Sequence, residues 1–163
     1  MAALVILLVA CGGEPTLPGN AAIVLRAAPV LAGKTLDGGR ISLGSARDAV
    51  VVVNFFNPFC LPCAEEASAL RSAWRDLRPR GVRFFGVHYT GGNWPPGTRP
   101  ARRFLRRNGL RYPVLEDPGR RLAEGFRIRG IPTTIVVDSR GRERFEITGP
   151  VHPGEIQDLV SRL

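Results

Sequence analysis

Residues 49–66 read AVVVVNFFNPFCLPCAEE, and this stretch decides the fold. Residues 49–56 form a valine-rich apolar run, the signature of a strand buried on both faces of a sheet. Beyond Cys60, Ala64, Leu70, Ala73, Trp74 and Leu77 recur at helical spacings. Phe59-Cys60-Leu61-Pro62-Cys63 therefore stands where a buried strand ends and a helix begins. At a helix N-terminus the first thiol faces unpaired backbone N–H groups and the positive end of the dipole. Both favour thiolate, and cysteines so placed have pKa values lowered to roughly 3.5–7.5. The spacing sets Cys63 one turn further on, within reach of the Cys60 sulfur. Cys60 is expected to be the exposed attacking thiolate, and Cys63 the more buried thiol that resolves a mixed disulfide.

Two other uses of such a pair compete. A zinc site needs about four ligands, and beyond the pair the chain offers Cys11, His88 and His152, none with a partner at metal-binding spacing. No metal is expected. A structural disulfide gains stabilisation with loop length, which a two-residue loop lacks. No cofactor is expected beyond a redox-active Cys60–Cys63 disulfide.

Far downstream stands Gly130-Ile131-Pro132-Thr133-Thr134. A proline opening a strand after a bulky residue is a candidate cis bond. Opposite a dithiol, Pro132 would leave the Ile131 backbone free to pair with a substrate strand and would hinder metal capture by the cysteines. An ordinary edge proline is the plainer reading of Ile-Pro taken alone.

The remaining elements follow from pattern. Asp37-Gly38 lies between short alternating runs in residues 35–43, a hairpin signal. Residues 82–87 read as a second buried strand, and residues 99–108 as a helix that Gly109 ends. A short extended piece is expected at 112–115, a helix at 120–126, a hairpin of strands 133–137 and 143–147, and a last helix over 153–163 with Pro153 near its start. The order is α/β, with helices on both faces of a central mixed sheet. The loop 89–100, with Trp94-Pro95-Pro96-Gly97, either lines a groove or is a surface excursion.

The chain has 163 residues, 44% hydrophobic and 23% charged, the make-up of one globular domain. Residues 1–10, MAALVILLVA, are apolar over about half the roughly 20 residues a membrane-spanning helix needs. They fit the core of a signal peptide. Leu8-Val9-Ala10-Cys11 resembles a bacterial lipobox, whose cysteine is acylated after cleavage. No Lys or Arg precedes the apolar run, so the usual basic start is missing. A frayed N-terminus with a free thiol is the alternative. Residues 11–28 read as a flexible tether that would hold the domain, residues 29–163, some 20–25 Å from its anchor. The expected location is the extracytoplasmic face of a bacterial envelope, with the membrane itself a partner through Cys11.

The net charge is +9, carried by 22 Arg and one lysine, Lys34. Between Asp76 and Glu116 there are nine arginines and no acid. Arg102, Arg103, Arg106 and Arg107 share one helix face, with Phe104 and Leu105 toward the core. That face either orients the domain on an anionic surface, docks an acidic partner, or is merely solvated. No nucleic-acid partner is expected.

These residues resemble the thioredoxin superfamily, most closely its TlpA/ResA branch, over most of residues 29–163. VVNFFNPFCLPCAEE resembles the branch's strand–CxxC–helix segment, RGIPTTIVVDSRG its cis-proline strand and turn, and the Asp37-Gly38 hairpin its N-terminal extension. The resemblance implies a thioredoxin-like fold and a thiol–disulfide oxidoreductase, with Cys60 as nucleophile, Cys63 as resolving thiol and Pro132 as cis-proline. It implies that Glu66 lies beneath the dithiol, where a partly buried carboxylate would have a raised pKa and accept the Cys63 proton. Asn54 replaces the buried aspartate of thioredoxins proper. Phe56 and Phe59 stand where the branch usually has Trp, and Asn57-Pro58 is not its usual dipeptide. Implied partners are disulfide-bearing or dithiol proteins, with a membrane thiol transporter as electron source. Reduction of exported apocytochrome c is one implied task. The direction of exchange stays open.

Two other classes remain. A peroxiredoxin-like peroxidase carries Pro-x-x-x-Thr/Ser-x-x-Cys, whereas positions 53 and 57 here are Val and Asn. A copper-delivery module of the Sco type uses CxxxC and a loop histidine, whereas residues 126–131 hold none. His88 and His152 are expected to be exposed polar residues.

Overall fold

The computed structural model describes residues 16–42, 44, 48–91, 94, 95 and 97–163. Residues 1–10, expected to be a leader, and Cys11 lie outside the described residues. In chain order come strands β1 (Ala21–Ala27), β2 (Ala32–Lys34), β3 (Arg40–Ser42) and β4 (Val51–Phe56). Helices α1 (Leu61–Glu65) and α2 (Ala67–Leu77), strand β5 (Arg83–Tyr89), helix α3 (Thr98–Asn108), strand β6 (Val114–Asp117) and helix α4 (Arg121–Gly125) follow. Strands β7 (Thr133–Val137) and β8 (Arg142–Thr148) and helix α5 (Glu155–Ser161) complete the fold.

The valine run becomes β4, fully buried, at an inner position of a six-stranded sheet ordered β1-β8-β7-β4-β5-β6. It pairs parallel with β5 and antiparallel with β7, so the sheet is mixed as expected. Side chains alternate across a strand. Val52 and Phe56 accordingly join one buried cluster with Leu70, Leu77, Phe104, Ile156 and both cysteines. Val51, Val53 and Phe55 join the other, with Leu31, Leu115 and Phe126. The same alternation sends Asn54 toward the face that carries the cysteines.

The hairpin forms as β2 and β3, with Gly38 at φ 89°, a left-handed conformation that glycine adopts without steric cost. Leu36 N donates to Val114 O at 2.8 Å and ties the hairpin to β6. Gly109, at φ 67°, ends α3 as its position predicts.

The tether expected over residues 11–28 is corrected at its C-terminal end. Ala21–Ala27 is a strand, antiparallel to β8 at the sheet edge. Ile23 and Leu25 remain exposed, so no clean apolar alternation marks the strand in the sequence. Pairing with β8 supplies what the pattern lacks, aided by Arg26, whose Nε lies 2.6 Å from Glu143 Oε2. Two further boundaries shift. The helix after Cys60 is interrupted at Glu66, and the last helix begins at Glu155 after Gly154, which takes a left-handed φ of 83°.

Candidate active site

The turn ahead of the cysteines is built by Asn57, which is fully buried. Its Nδ2 donates to Tyr89 O at 2.8 Å, and its Oδ1 accepts from Phe59 N at 3.0 Å. Its carbonyl accepts from Cys60 N at 3.1 Å. One side chain thus fixes the end of β4 to the end of β5 and aims Cys60 at the helix start. Sequence reading passed over this role, although an Asn-Pro pair is itself a turn cue.

Cys60 is the N-cap of α1, and Pro62 occupies an early helical position where the missing N–H costs nothing. Cys60 and Cys63 are joined in a disulfide, and Cys60 Sγ accepts from Cys63 N at 3.2 Å. That N–H would equally favour a Cys60 thiolate. One expectation needs correction. Cys60 is 3% exposed and Cys63 1%, so in the disulfide form neither sulfur stands out into solvent. The flanking Phe59 and Leu61 do, at 54% and 71%.

The Ile131–Pro132 peptide is cis. Ile131 O lies 3.9 Å from Cys60 Sγ, so the loop before β7 faces the first cysteine. Thr133 Oγ1 donates to Gly130 O at 2.9 Å, and Gly149 N donates to Pro132 O at 2.9 Å, holding the loop from both sides.

Glu66 sits at the break between α1 and α2 and is 1% exposed. Its Oε1 accepts from Asn54 Nδ2 at 2.8 Å, and its Oε2 accepts from Val151 N at 3.0 Å. Asn54 Nδ2 also donates to Thr134 Oγ1 at 3.0 Å. Burial pushes the Glu66 carboxyl up to about 7. The Val151 and Asn54 hydrogen bonds pull the other way, and the nearby Glu155 adds a smaller upward push. A carboxyl so poised exchanges its proton near neutral pH. Burial, and secondarily the Glu66 charge, also raise the Tyr112 hydroxyl, which finds no hydrogen-bond partner among the described residues.

His88 is buried rather than exposed. It packs on Phe56 with ring centroids 6.2 Å apart, and its Nε2 has no partner among the described residues. Burial lowers its pKa, partly offset by Glu116. Trp94 is half-buried and packs against both apolar clusters. On α3, Arg103, Arg106 and Arg107 are exposed as expected, but Arg102 also reaches the hairpin, its Nη2 donating to Leu36 O. The structure thus brings Cys60, Cys63, Glu66 and Pro132 into one region.

The chain resembles proteins with this architecture. Over 106 residues it is 30% identical to the thiol-disulfide oxidoreductase ResA of Halalkalibacterium halodurans, covering 65% of this chain and 57% of that protein. Over 114 residues it is 31% identical to the thiol:disulfide interchange protein HelX of Rhodobacter capsulatus, covering 69% and 57%. The matched segments thus span little more than half the length of these relatives. A thioredoxin family thiol:disulfide interchange protein from Chlorobium tepidum TLS superposes with a TM-score of 0.74 at 26% identity, covering 86% of this chain and 97% of that one. The fold is thioredoxin-like, and the TlpA/ResA resemblance read from the sequence holds. A family model matches residues 24–144, from within β1 into β8, and on that match the chain belongs to the AhpC/TSA family.

Proposed function

We propose that the protein is a thiol–disulfide oxidoreductase acting on cysteines of exported proteins. The observation that carries this reading is the Cys60–Cys63 pair at a helix start, facing the cis-proline loop, with the buried Glu66 carboxyl, raised to about 7, three residues beyond Cys63. In the reducing direction, the Cys60 thiolate attacks a substrate disulfide, forming a mixed disulfide and releasing one substrate thiolate. Cys63 then loses its proton toward Glu66 and attacks Cys60 Sγ. The second substrate thiolate leaves, Cys60 and Cys63 become oxidised, and two electrons have passed to the substrate. The Ile131 backbone, turned by Pro132, would pair with the substrate strand beside Cys60. Running in reverse, the same steps oxidise a dithiol.

By its family resemblance, the physiological direction is reduction of exported apoproteins such as apocytochrome c, with electrons from a membrane thiol transporter. Acylation of Cys11 would hold the domain at the cell envelope. The reduction potential tests the direction. A value near about −270 mV supports a reductant, whereas one near −120 mV points to an oxidant. Insulin disulfide reduction that survives Cys60→Ser would overturn the assignment altogether. Position 57 carries a committed amide, not the hydroxyl expected of a peroxidatic site. Stoichiometric peroxide consumption by the reduced protein would reverse that reading.

A further inference from the structure

Beside the cysteines lies a groove of about 490 Å³ between the turn that carries them and α3. Pro58, Phe59, Ala64, Pro100 and Phe104 give it an apolar lining. Arg99, Arg103 and Arg107 line it as well, at positions i, i+4 and i+8 of one helix. At 1.5 Å per residue their Cα atoms span about 12 Å along the groove. All three are exposed, none forms an ion pair among the described residues, and no acidic residue lines the groove. The groove borders the reactive pair through the residues that flank it in the chain. Phe59 immediately precedes Cys60, and Ala64 immediately follows Cys63.

We propose that this groove docks an acidic segment of the partner polypeptide whose cysteines exchange with Cys60, an apolar side chain entering against Phe59 and carboxylates meeting Arg99, Arg103 and Arg107. The proposal rests on the exchange activity argued above and adds to it a partner chemistry. A row of cations four residues apart reads an extended acidic segment, and charge complementarity of this kind raises association rates and sets partner choice. Exposed Phe59 supplies an aromatic anchor of the sort that concentrates binding energy. A lipid surface fits the same charges less well. The site is concave and takes in Phe59, next to Cys60, so a membrane laid over it would crowd the residue that must meet the partner.

The test uses the reduced protein and three synthetic peptides, each closed by one disulfide around a leucine. Their flanking residues are Glu/Asp, Gln/Asn or Lys. A small uncharged disulfide, hydroxyethyl disulfide, calibrates intrinsic exchange. Rates are read by acid quench, alkylation of remaining thiols and the mass of the protein, which reports oxidation of its Cys60–Cys63 dithiol. At low salt the acidic peptide is expected to react about tenfold faster than the neutral one, within the range electrostatic steering gives. The preference should shrink several-fold at 0.5 M salt, as screening shortens its reach. In the triple variant Arg99→Gln, Arg103→Gln, Arg107→Gln, with rates normalised to that variant's own hydroxyethyl disulfide rate, the preference should vanish. In Arg103→Glu it should tilt toward the Lys peptide. Equal rates for acidic and neutral peptides in the wild type would overturn the docking proposal alone, leaving exchange intact. A preference that persists in the triple variant would overturn it too. So would an absence of preference combined with Arg-dependent binding to anionic vesicles, which would assign the stripe to a lipid surface. No exchange with any disulfide would overturn the oxidoreductase reading, and this proposal with it.

Discussion

Asn54 and Glu66 form a buried pair in which the amide donates to the carboxylate at 2.8 Å. Asn54 comes from the central strand and Glu66 from the break between the first two helices, so the contact locks the dithiol's helix to the sheet. Where a second carboxyl at position 54 would repel Glu66, the amide offers it a donor.

Glu66→Gln should flatten the pH dependence of stability. A carboxyl whose folded pKa lies above its unfolded value binds its proton more tightly in the folded chain. Stability from this group is therefore full below about 4.5 and falls as pH rises through about 7. The loss is on the order of 3 kcal/mol for a shift of this size. Urea titrations of the oxidised protein at pH 5 and pH 8 should show a wider gap in the wild type than in the variant. Disulfide exchange by the variant should also be slower above neutral pH. A wild-type rate across that range would reduce Glu66 to a structural residue.

Cys60 should alkylate at least tenfold faster than Cys63 in the two single Cys→Ser variants after mild reduction. The reason is the helix-start position, with Cys63 N donating to Cys60 Sγ. Faster labelling of Cys63 would exchange their roles.

Asn57→Ala removes two side-chain hydrogen bonds and leaves Tyr89 O and Phe59 N seeking partners. The expected cost is about 2 kcal/mol, seen as a lower melting temperature. Exchange should slow as well, because the turn that aims Cys60 loosens. An unchanged melting temperature would mean that water replaces both bonds.

His88→Leu should stabilise the protein more at pH 5 than at pH 8. Burial holds the folded imidazole below its ordinary value. The unfolded chain therefore takes up the proton more readily, and wild-type stability falls as pH drops through about 6.5. Leucine has no proton to gain. Equal stabilisation at both pH values would show that the folded imidazole takes up its proton as readily as the unfolded one.

The sequence reading succeeded where a local pattern and its tertiary meaning coincide. The valine run, the CxxC at a strand–helix junction and the Asp37-Gly38 turn each contain their own cue. Glu66 was placed by its offset from Cys63 and by family resemblance. What the sequence did not disclose depends on pairings made by the fold. Strand β1 has exposed Ile23 and Leu25 and exists because the edge of β8 receives it. His88 follows the apolar run of residues 82–87 and so looks like an exposed polar end, but β5 continues to Tyr89 and Phe56 packs against the imidazole. In sequence Asn57 shows only as a departure from a familiar dipeptide, whereas its amide joins residues two and 32 positions away.

The hydrogen bond from Val151 N to Glu66 Oε2 links residues 85 positions apart. A chain growing from its N-terminus presents both cysteines and Glu66 long before residue 151 exists. Until then the carboxyl lacks one of its two donors, and Ile156 and Leu159 have not yet closed over the cluster that holds Cys63. The pair is synthesised early but acquires its finished surroundings late. A chain cut short before residue 151 would carry the CxxC motif without the environment that tunes it.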